Sequence, residues 1–284
     1  YDQVPQKYQD MYDPQKITLQ PNVQPDAQNP LVGKKECRTT IAQYYAAVTA
    51  LDEQLGRIID KLKETGEYDN TLFIYTSDHG DMLWSHGMMK KQAPWAESVD
   101  IPLLMRMPKK LGSGEKNEVL FGTVDLLPTI CGLLNWEKPA TFQGVDLSTC
   151  LTDANTTQPE TALIANYHGY SEGHHQHLYA WRGIRTKTHS YIEKPNREPW
   201  LLFDNQNDPY QMNNLIGDAT VRELQSKLFD ALTGWLECTN DPALPDDELL
   251  KHMGLFELWE YHRDIVKNEW HHPVHPPKTA SVKN

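Results

Sequence analysis

Apolar residues recur every three or four positions between residues 36 and 65, which is the spacing of a helix with one buried face. The members of this stripe are Ile41, Tyr44, Val48, Leu51, Leu55, Ile58 and Leu62. Gly66 ends the stretch, and a turn at Asp69–Asn70 leads into residues 71–76, whose length and β-branched and aromatic content are typical of a buried strand. A long helix that feeds a buried strand predicts α/β layering.

Further along the chain the hydrophobic pattern changes. A second strand is predicted at residues 101–106, and a helix at 124–134 carries Pro128 in its early turns, where a missing N–H matters least. Short strand-like runs then follow at 161–166, 179–185 and 189–193, and helices are predicted at 221–236 and 247–267. Consecutive strands without an intervening helix favour an antiparallel sheet. We therefore predict an α/β part over residues 1–154 and a smaller antiparallel α+β subdomain with terminal helices over residues 155–284.

The first 35 residues are rich in proline and polar side chains, so we expect an extended surface segment that wraps around another part of the protein. They contain no initiator methionine, no basic region and no apolar run of a targeting signal. We therefore expect the chain to start within a longer protein.

Composition narrows the class of protein further. The chain has 284 residues, enough for a sizeable core, and a formal net charge of −12, which opposes binding to nucleic acid. A hydrophobic fraction of 39% and a mean hydropathy of −0.65, with no long apolar run, argue against a membrane span. The four cysteines are too few for a disulfide scaffold, and they show no Cys-x-x-Cys spacing of a metal site.

Candidate metal ligands follow the first predicted strand directly, as Ser77, Asp78, His79 and Gly80. Ligands of α/β sheets collect at the carboxyl ends of strands. The Asp78 carboxylate and the His79 imidazole are candidate ligands of a divalent cation, and Gly80 permits a sharp turn beside them. For these residues alone, an aspartate that simply starts a turn is the alternative.

The following loop contains candidate groups for binding an anion. Lys90 or Lys91 can present an ammonium to an anion that the cation holds, although a solvated surface pair is the alternative. His86, in the same loop, is a structural histidine or, as a weaker candidate, an acid that protonates a leaving group.

Residues 71–104 read TLFIYTSDHGDMLWSHGMMKKQAPWAESVDIPLL and closely resemble the metal-and-lysine segment of the formylglycine-dependent sulfatases, in the alkaline-phosphatase superfamily. The chain resembles especially the iduronate-2-sulfatase-like subset, which has Asp-His where many members have Asp-Asn. Further blocks occur in family order, as YYAAVTALDEQLGRIIDKL, TVDLLPTICGLL with GVDLS, WRGIRTKTHSYI and LLFDNQNDPYQMNNL. Together they cover most of residues 36–238. The resemblance implies an alkaline-phosphatase-like central α/β sheet flanked by helices, which is incomplete here.

The same resemblance implies that Asp78 and His79 are metal ligands and that Lys91 contacts the substrate sulfate. The family's lysine lies eleven positions before the proline of the next strand. That proline is Pro102 here, and since 102 − 91 = 11 the spacing selects Lys91 over Lys90. Calcium is the family's usual ion, with Mg2+ or another divalent ion as the alternative. Because an imidazole is an unusual ligand for so hard an ion, contact of His79 with a sulfate oxygen is also open.

The chain also departs from the family pattern. The family's nucleophile is a formylglycine made from the cysteine of Cys-x-[Pro/Ser/Ala]-x-Arg, and none of the four cysteines here has an arginine four positions later. We expect the nucleophile, further metal-ligating aspartates and a Pro-His-x-Pro histidine to lie upstream, so that residues 1–284 alone are inactive. The resemblance implies that the whole protein is a sulfuric ester hydrolase for a sulfated sugar or an aryl sulfate. It also implies a periplasmic, secreted or lysosome-like location.

Contacts to the rest of the substrate are expected in the second half of the chain. His168 and His174, in the loop NYHGYSEGHHQH, and Arg182, in the strand that follows, are candidates, and a plain surface loop is the alternative. Two other functions stay open. One is a phosphomonoester or phosphonate hydrolase of the same superfamily, and the other is an inactive fragment or a glycan-binding relative.

Overall fold

The structure is a computed structural model of the chain, and it describes residues 1–24, 33–153, 155–167 and 179–261. Its principal helices are α1 (Gln6–Gln9), α2 (Lys34–Glu64), α3 (Ala96–Val99), α4 (Leu126–Leu134), α5 (Ser148–Thr152), α6 (Arg222–Thr239) and α7 (Asp246–His252). Its strands are β1 (Phe73–Thr76), β2 (Leu103–Arg106), β3 (Ala162–Asn166), β4 (Trp181–Arg185), β5 (His189–Lys194) and β6 (Glu198–Asp204). The first two strands form one sheet and the last four form another.

The helix α2 begins and ends within two residues of its predicted limits. The Glu36 carboxylate accepts the N–H of Gly33 at 2.9 Å, which satisfies a backbone donor at the amino end. At the other end Gly66 takes a left-handed φ of 76°, and the N–H of Glu67 reaches the carbonyl of Leu62 at 2.9 Å. The predicted stop at Gly66 is thus confirmed, because glycine adopts this conformation without a steric penalty.

The apolar stripe of α2 is buried only near its amino end, which corrects the prediction of a fully buried face. Ile41 is 6% exposed and packs with Ile17 of the segment that precedes the helix. Val48, Leu51 and Ile58 are 45%, 53% and 51% exposed. The described amino-terminal residues contact a neighbouring face of the helix, so they leave this part of the stripe open to solvent.

Residues 1–24 pack against α2 through short helical turns, so the expectation of an extended, unpacked segment was wrong. Lys7 donates to Glu53 at 2.9 Å, and the hydroxyls of Tyr12 and Thr49 lie 2.6 Å apart. The tyrosines and isoleucine of this proline-rich stretch supply apolar surface that packs against the amino-terminal part of the helix. The segment does wrap around another element, as predicted.

The strands β1 and β2 pair antiparallel, with Phe73 opposite Arg106 and Thr76 opposite Leu103. Both strands were predicted, but β1 is not buried: its first three residues are half-buried and Thr76 is exposed. In the described part of the chain this sheet has two strands, so no third strand covers an edge. The α/β character predicted for this part comes from α2, α4 and this small sheet.

The second sheet has the order β3-β4-β5-β6, and all neighbouring strands are antiparallel, as predicted. One face packs on α6, whose apolar residues recur every four positions. These residues are Leu228, Leu232 and Leu236. The other face, with Trp181 and Phe203, packs against Trp95 and Val99 of the connection between β1 and β2. The sheet therefore joins α6 to the loop that carries the candidate site.

The strand β6 was missed by the sequence analysis, because Pro199 near its start reads as a break. A proline is tolerated here since β6 lies at the edge of the sheet, where one N–H of the ladder is dispensable. The boundary predicted near residue 155 falls between α5 and β3, and it stays a prediction.

The helix α7 covers the first part of the predicted range of 247–267, and after a break residues 256–261 are helical again. The helix α7 ends at His252, where Gly254 takes a φ of 68° and the N–H of Leu255 closes the helix end on the carbonyl of Leu250 at 2.8 Å. No helix in the described ranges is both long enough and apolar enough to cross a membrane.

The two isoleucines of the α2 stripe test this pattern of burial. Ile41→Ala should lower the free energy of unfolding of the chain by about 2 kcal/mol or more, because it opens a cavity in the core. Ile58→Ala, the same substitution at a half-exposed position, should change it by less than about 0.5 kcal/mol. Urea unfolding followed by circular dichroism measures both. Equal losses would mean that Ile58 is covered in solution.

Candidate active site

The turn after β1 presents Asp78 to solvent. Its Oδ1 accepts the N–H of His79 at 3.0 Å, and the Ser77 hydroxyl donates to the His79 carbonyl at 2.8 Å. These local hydrogen bonds turn the chain at the end of the strand. The Asp78 side chain is 84% exposed, so its carboxylate is accessible to a ligand.

His79 is held in one tautomer. Its Nδ1 lies 2.7 Å from the carbonyl oxygen of Gly80, which can only accept, so Nδ1 carries a proton. In the neutral ring Nε2 therefore has the lone pair, and it lies 3.5 Å from Oδ2 of Asp78. Two atoms that bind one cation at about 2.0–2.4 Å lie roughly 3 Å apart. The two side chains thus fit neighbouring positions around a divalent ion.

The charge of Asp78 suits this role. The adjacent His79 side chain, together with backbone N–H groups, holds the pKa of the Asp78 carboxyl below its usual value, so the group is ionised at neutral pH. Within the described ranges, no group of three or more His, Cys, Asp or Glu side chains is arranged to hold a metal ion. Asp78 and His79 would therefore need further ligands to hold a metal ion.

Gly80 ties this turn to the chain that precedes β2. Its N–H donates to the carbonyl of Ser98 at 2.9 Å. A Cβ at this position would lie 2.0 Å from the carbonyl oxygen of Glu97, a distance that no side chain tolerates. The residue must be glycine for the Asp78–His79 turn to lie against this segment.

The loop of residues 83–92, which contains Lys91, has an unusual backbone. Five of its residues other than glycine have φ between 43° and 75°, and they are Leu83, Trp84, His86, Lys90 and Gln92. Such conformations cost about 1–3 kcal/mol each and persist where the surrounding structure enforces them, most often at functional sites. This concentration of backbone strain is an independent pointer to function that the sequence does not reveal.

Distant parts of the chain hold this loop in place. Residue Val23 forms an isolated antiparallel bridge with Ser85. On the other side, the indole Nε1 of Trp181 in β4 donates to the carbonyl of Gln92 at 2.8 Å. The buried Gln211, after β6, accepts the N–H of Ala96 at 2.8 Å. The loop therefore depends on the carboxyl-terminal sheet for its conformation.

Asp78, His79 and Lys91 line one open cleft of about 1320 Å³, between the end of β1 and the strands β3 and β4. The spacing argument that selected Lys91 is consistent with this position. Arg185 of β4 and Asp100 also line the cleft. The three predicted site residues and an additional ion pair thus share one concave surface.

His86 does not line this cleft. Its ring stacks on Trp95 with centroids 5.0 Å apart, and its Nε2 lies 3.3 Å from the Nδ2 of Asn22. Asn22 is fully buried and also donates to Glu97 at 2.5 Å and to the carbonyl of Tyr210 at 3.2 Å. These contacts favour the structural alternative for His86, and its catalytic role stays a prediction.

Arg182 is also turned away from the cleft. It is 3% exposed, forms an ion pair with the buried Asp241, and donates to the carbonyl of Asn166 at 3.0 Å. A guanidinium satisfied in this way favours a structural role over substrate binding. The other two candidates, His168 and His174, lie outside the described residues.

Arg185 is the arginine of this strand that the sequence analysis missed. It donates to Asp100 at 3.0 Å and to the Ser190 hydroxyl at 2.8 Å. Burial raises the pKa of the Asp100 carboxyl, whereas the positive charge of the Arg185 guanidinium acts to lower it. The alternation of a strand could have identified Arg185, since residues 181 and 185 share a face and Arg182 lies on the other.

Comparisons with known proteins show the family of this chain. Residues 1–136 match the family model described as Sulfatase, and residues 84–237 match the model described as N-sulphoglucosamine sulphohydrolase, C-terminal. The chain therefore belongs to the sulfatase family, in the alkaline-phosphatase superfamily.

Individual relatives cover most of this chain. The Ulvan-active sulfatase of Formosa agariphila is 33% identical over 250 residues, which are 87% of this chain and 47% of that protein. A structure solved in complex with its substrate D-glucosamine-2-N,6-O-disulfate is 30% identical, with a TM-score of 0.68, over 76% of this chain and 45% of that one. The phosphonate monoester hydrolase of Agrobacterium radiobacter, at 24% identity, shares the fold with a TM-score of 0.69 over 85% of this chain and 54% of that one. The chain spans less than half the length of the curated relatives it matches.

The environment of His86 generates a prediction about pH. Burial lowers the pKa of His86 below its usual 6.5, against the opposite effect of Glu97 and Asp208. The folded chain then binds fewer protons than the unfolded chain, so stability falls as the pH drops below that value. His86→Gln should make the free energy of unfolding fall less between about pH 7 and about pH 5.

Urea midpoints at the two pH values measure this effect, and His252→Gln, at an exposed position, is the matched control. A pH dependence that is the same in His86→Gln and in the original chain would contradict the prediction.

Proposed function

We propose that this chain forms part of a sulfuric ester hydrolase that removes sulfate from a sulfated carbohydrate. The observation that carries the proposal is that Asp78, His79 and Lys91 line one cleft in a chain of the sulfatase family. The substrate class is supported by relatives, one an Ulvan-active sulfatase and another solved with D-glucosamine-2-N,6-O-disulfate. An aryl sulfate is the simplest alternative substrate and the most convenient one to assay.

The proposed metal is a divalent cation, with calcium the first choice and Mg2+ the alternative. Asp78 would supply an ionised carboxylate, and His79 would supply Nε2, either to the cation or to a sulfate oxygen. When bound, such an ion stabilises negative charge on the sulfate. The hydrogen bonds of Ser77, His79 and Gly80 keep both side chains in position before any ligand binds.

Lys91 is proposed to contact the sulfate through its ammonium. A fixed positive charge next to the transferring group lowers the free energy of the transition state more than that of the bound ester, provided that it is oriented in advance. The strained loop around Lys91 and its anchors support such preorganisation.

The nucleophile is proposed to come from outside residues 1–284, as the family's formylglycine. None of the four cysteines in this chain has the required arginine. In the net reaction a sulfate ester and water give an alcohol and sulfate. The bond between sulfur and the alcohol oxygen breaks, and that oxygen takes up a proton.

A phosphonate or phosphomonoester hydrolase is the second candidate, because the fold is shared with a phosphonate monoester hydrolase. Turnover of matched aryl sulfate, phosphate and phosphonate esters by the whole enzyme separates these activities. A glycan-binding relative without activity would turn over none of them.

A first prediction from this proposal concerns the metal. In the whole enzyme, Asp78→Ala should lower calcium affinity by about tenfold or more, because it removes a direct ligand, and turnover should fall with it. Calorimetry and metal analysis measure the affinity. Asp218→Ala, at an exposed turn aspartate, is the matched control. Unchanged metal content and turnover in Asp78→Ala would rule out the assignment.

A second prediction concerns the two lysines. In the whole enzyme, Lys91→Ala should lower kcat for an aryl sulfate by roughly 100-fold to 1,000-fold, as expected for a group that stabilises transition-state charge. Lys90→Ala should have little effect. Residues 1–284 alone should show no turnover, which provides the baseline. Equal small losses of kcat in Lys91→Ala and Lys90→Ala would mean that both lysines are solvated surface residues.

A further inference from the structure

Asp81 follows the candidate metal turn directly, and it holds both ends of the loop before Lys91. Its Oδ1 accepts the N–H of Leu83 at 2.9 Å and the N–H of Lys90 at 3.1 Å. Its other oxygen accepts the hydroxyl of Tyr1. The carbonyl of Lys90 in turn accepts the N–H of Met82 at 2.7 Å. Both backbone groups of Lys90 are therefore fixed.

A second anchor lies on the other side of Lys91. The carbonyl of Gln92 accepts the indole N–H of Trp181 at 2.8 Å. Trp181 is 2% exposed and packs with Ile192 and Phe203 in the carboxyl-terminal sheet. The bond therefore fixes the loop to a rigid part of the fold.

The anchored backbone groups belong to strained residues. Leu83, Lys90 and Gln92 have φ of 43°, 64° and 75°. Residues in this region relax unless the surroundings hold them. Asp81 accepts the backbone N–H groups of Leu83 and Lys90, and Trp181 donates to the carbonyl of Gln92. Lys91 lies between Lys90 and Gln92.

We propose that Asp81 and Trp181 are positioning residues, which hold the backbone on both sides of Lys91 and so fix its ammonium before the sulfate binds. This inference rests on the proposed function of Lys91. A misplacement of a catalytic group by about 1 Å can lower a rate by about 100-fold, so anchors of this kind matter even though they do not touch the substrate.

The test uses the whole enzyme, with calcium bound and an aryl sulfate as the probe. Asp81→Ala and Trp181→Phe should each lower kcat by about 10-fold to 100-fold, with bound calcium unchanged. Asp81→Asn should retain most of the activity, because its amide oxygen still accepts both N–H groups. Trp235→Phe is the matched control, since Trp235 donates to Thr161 at 2.9 Å, away from the loop.

Two further measurements separate positioning from general destabilisation. In a Lys91→Ala background, Asp81→Ala should have almost no additional effect on kcat, because a residue that acts through Lys91 has nothing left to position. Hydrogen exchange should show faster exchange of the Leu83 and Lys90 amides in Asp81→Ala than in Asp81→Asn. This second measurement does not depend on activity.

Each outcome gives a decision. Three results would overturn the inference while leaving the role of Lys91 intact. The first is a double variant whose loss of kcat is the product of the two single losses. The others are loss of bound calcium in Asp81→Ala and exchange of the Leu83 and Lys90 amides at the original rate. Full activity of Lys91→Ala would instead overturn the proposed role of Lys91, and the inference with it.

Discussion

The loop between β1 and β2 contains more backbone strain than it can maintain by itself, and the candidate site depends on what holds it. Five residues in the left-handed region raise its free energy by several kcal/mol relative to a relaxed chain. The opposing contacts come from Asn22 before α2, Trp181 in β4 and Gln211 after β6. The conformation around Lys91 is therefore a property of the assembled fold. A loop of the same sequence without these partners would relax.

This dependence crosses the boundary predicted near residue 155. The β3–β6 sheet buries one face on α6 and the other against the loop, so the stability of the carboxyl-terminal part is coupled to the geometry of the cleft. The two predicted parts differ in strand arrangement, but they share an interface at Trp95, Trp181 and Gln211. Substitutions in the sheet core are thus expected to affect Lys91 without contacting it.

The α2 stripe shows that apolar residues can have the spacing of a buried helix face and still be exposed to solvent. Val48, Leu51 and Ile58 have the spacing of a core-facing stripe, yet about half of each side chain is exposed. The half-exposed strand β1 has the same character. Among the described residues, neither element is fully covered. The limits of an element follow from its own sequence, whereas its burial requires a partner.

The sequence by itself determined the features that depend on local periodicity and spacing. It determined the limits of α2, because the apolar period and the stop at Gly66 are local. The resemblance of its motifs to the sulfatase family also selected Asp78, His79 and Lys91 as site residues, and their roles stay a prediction. Only the tertiary structure decided which arginine of β4 meets the cleft, since that depends on which face of the strand packs on α6. It also decided that His86 lies against Asn22 and that the backbone around Lys91 is strained. These features arise from contacts between residues far apart in the chain, which no local pattern records.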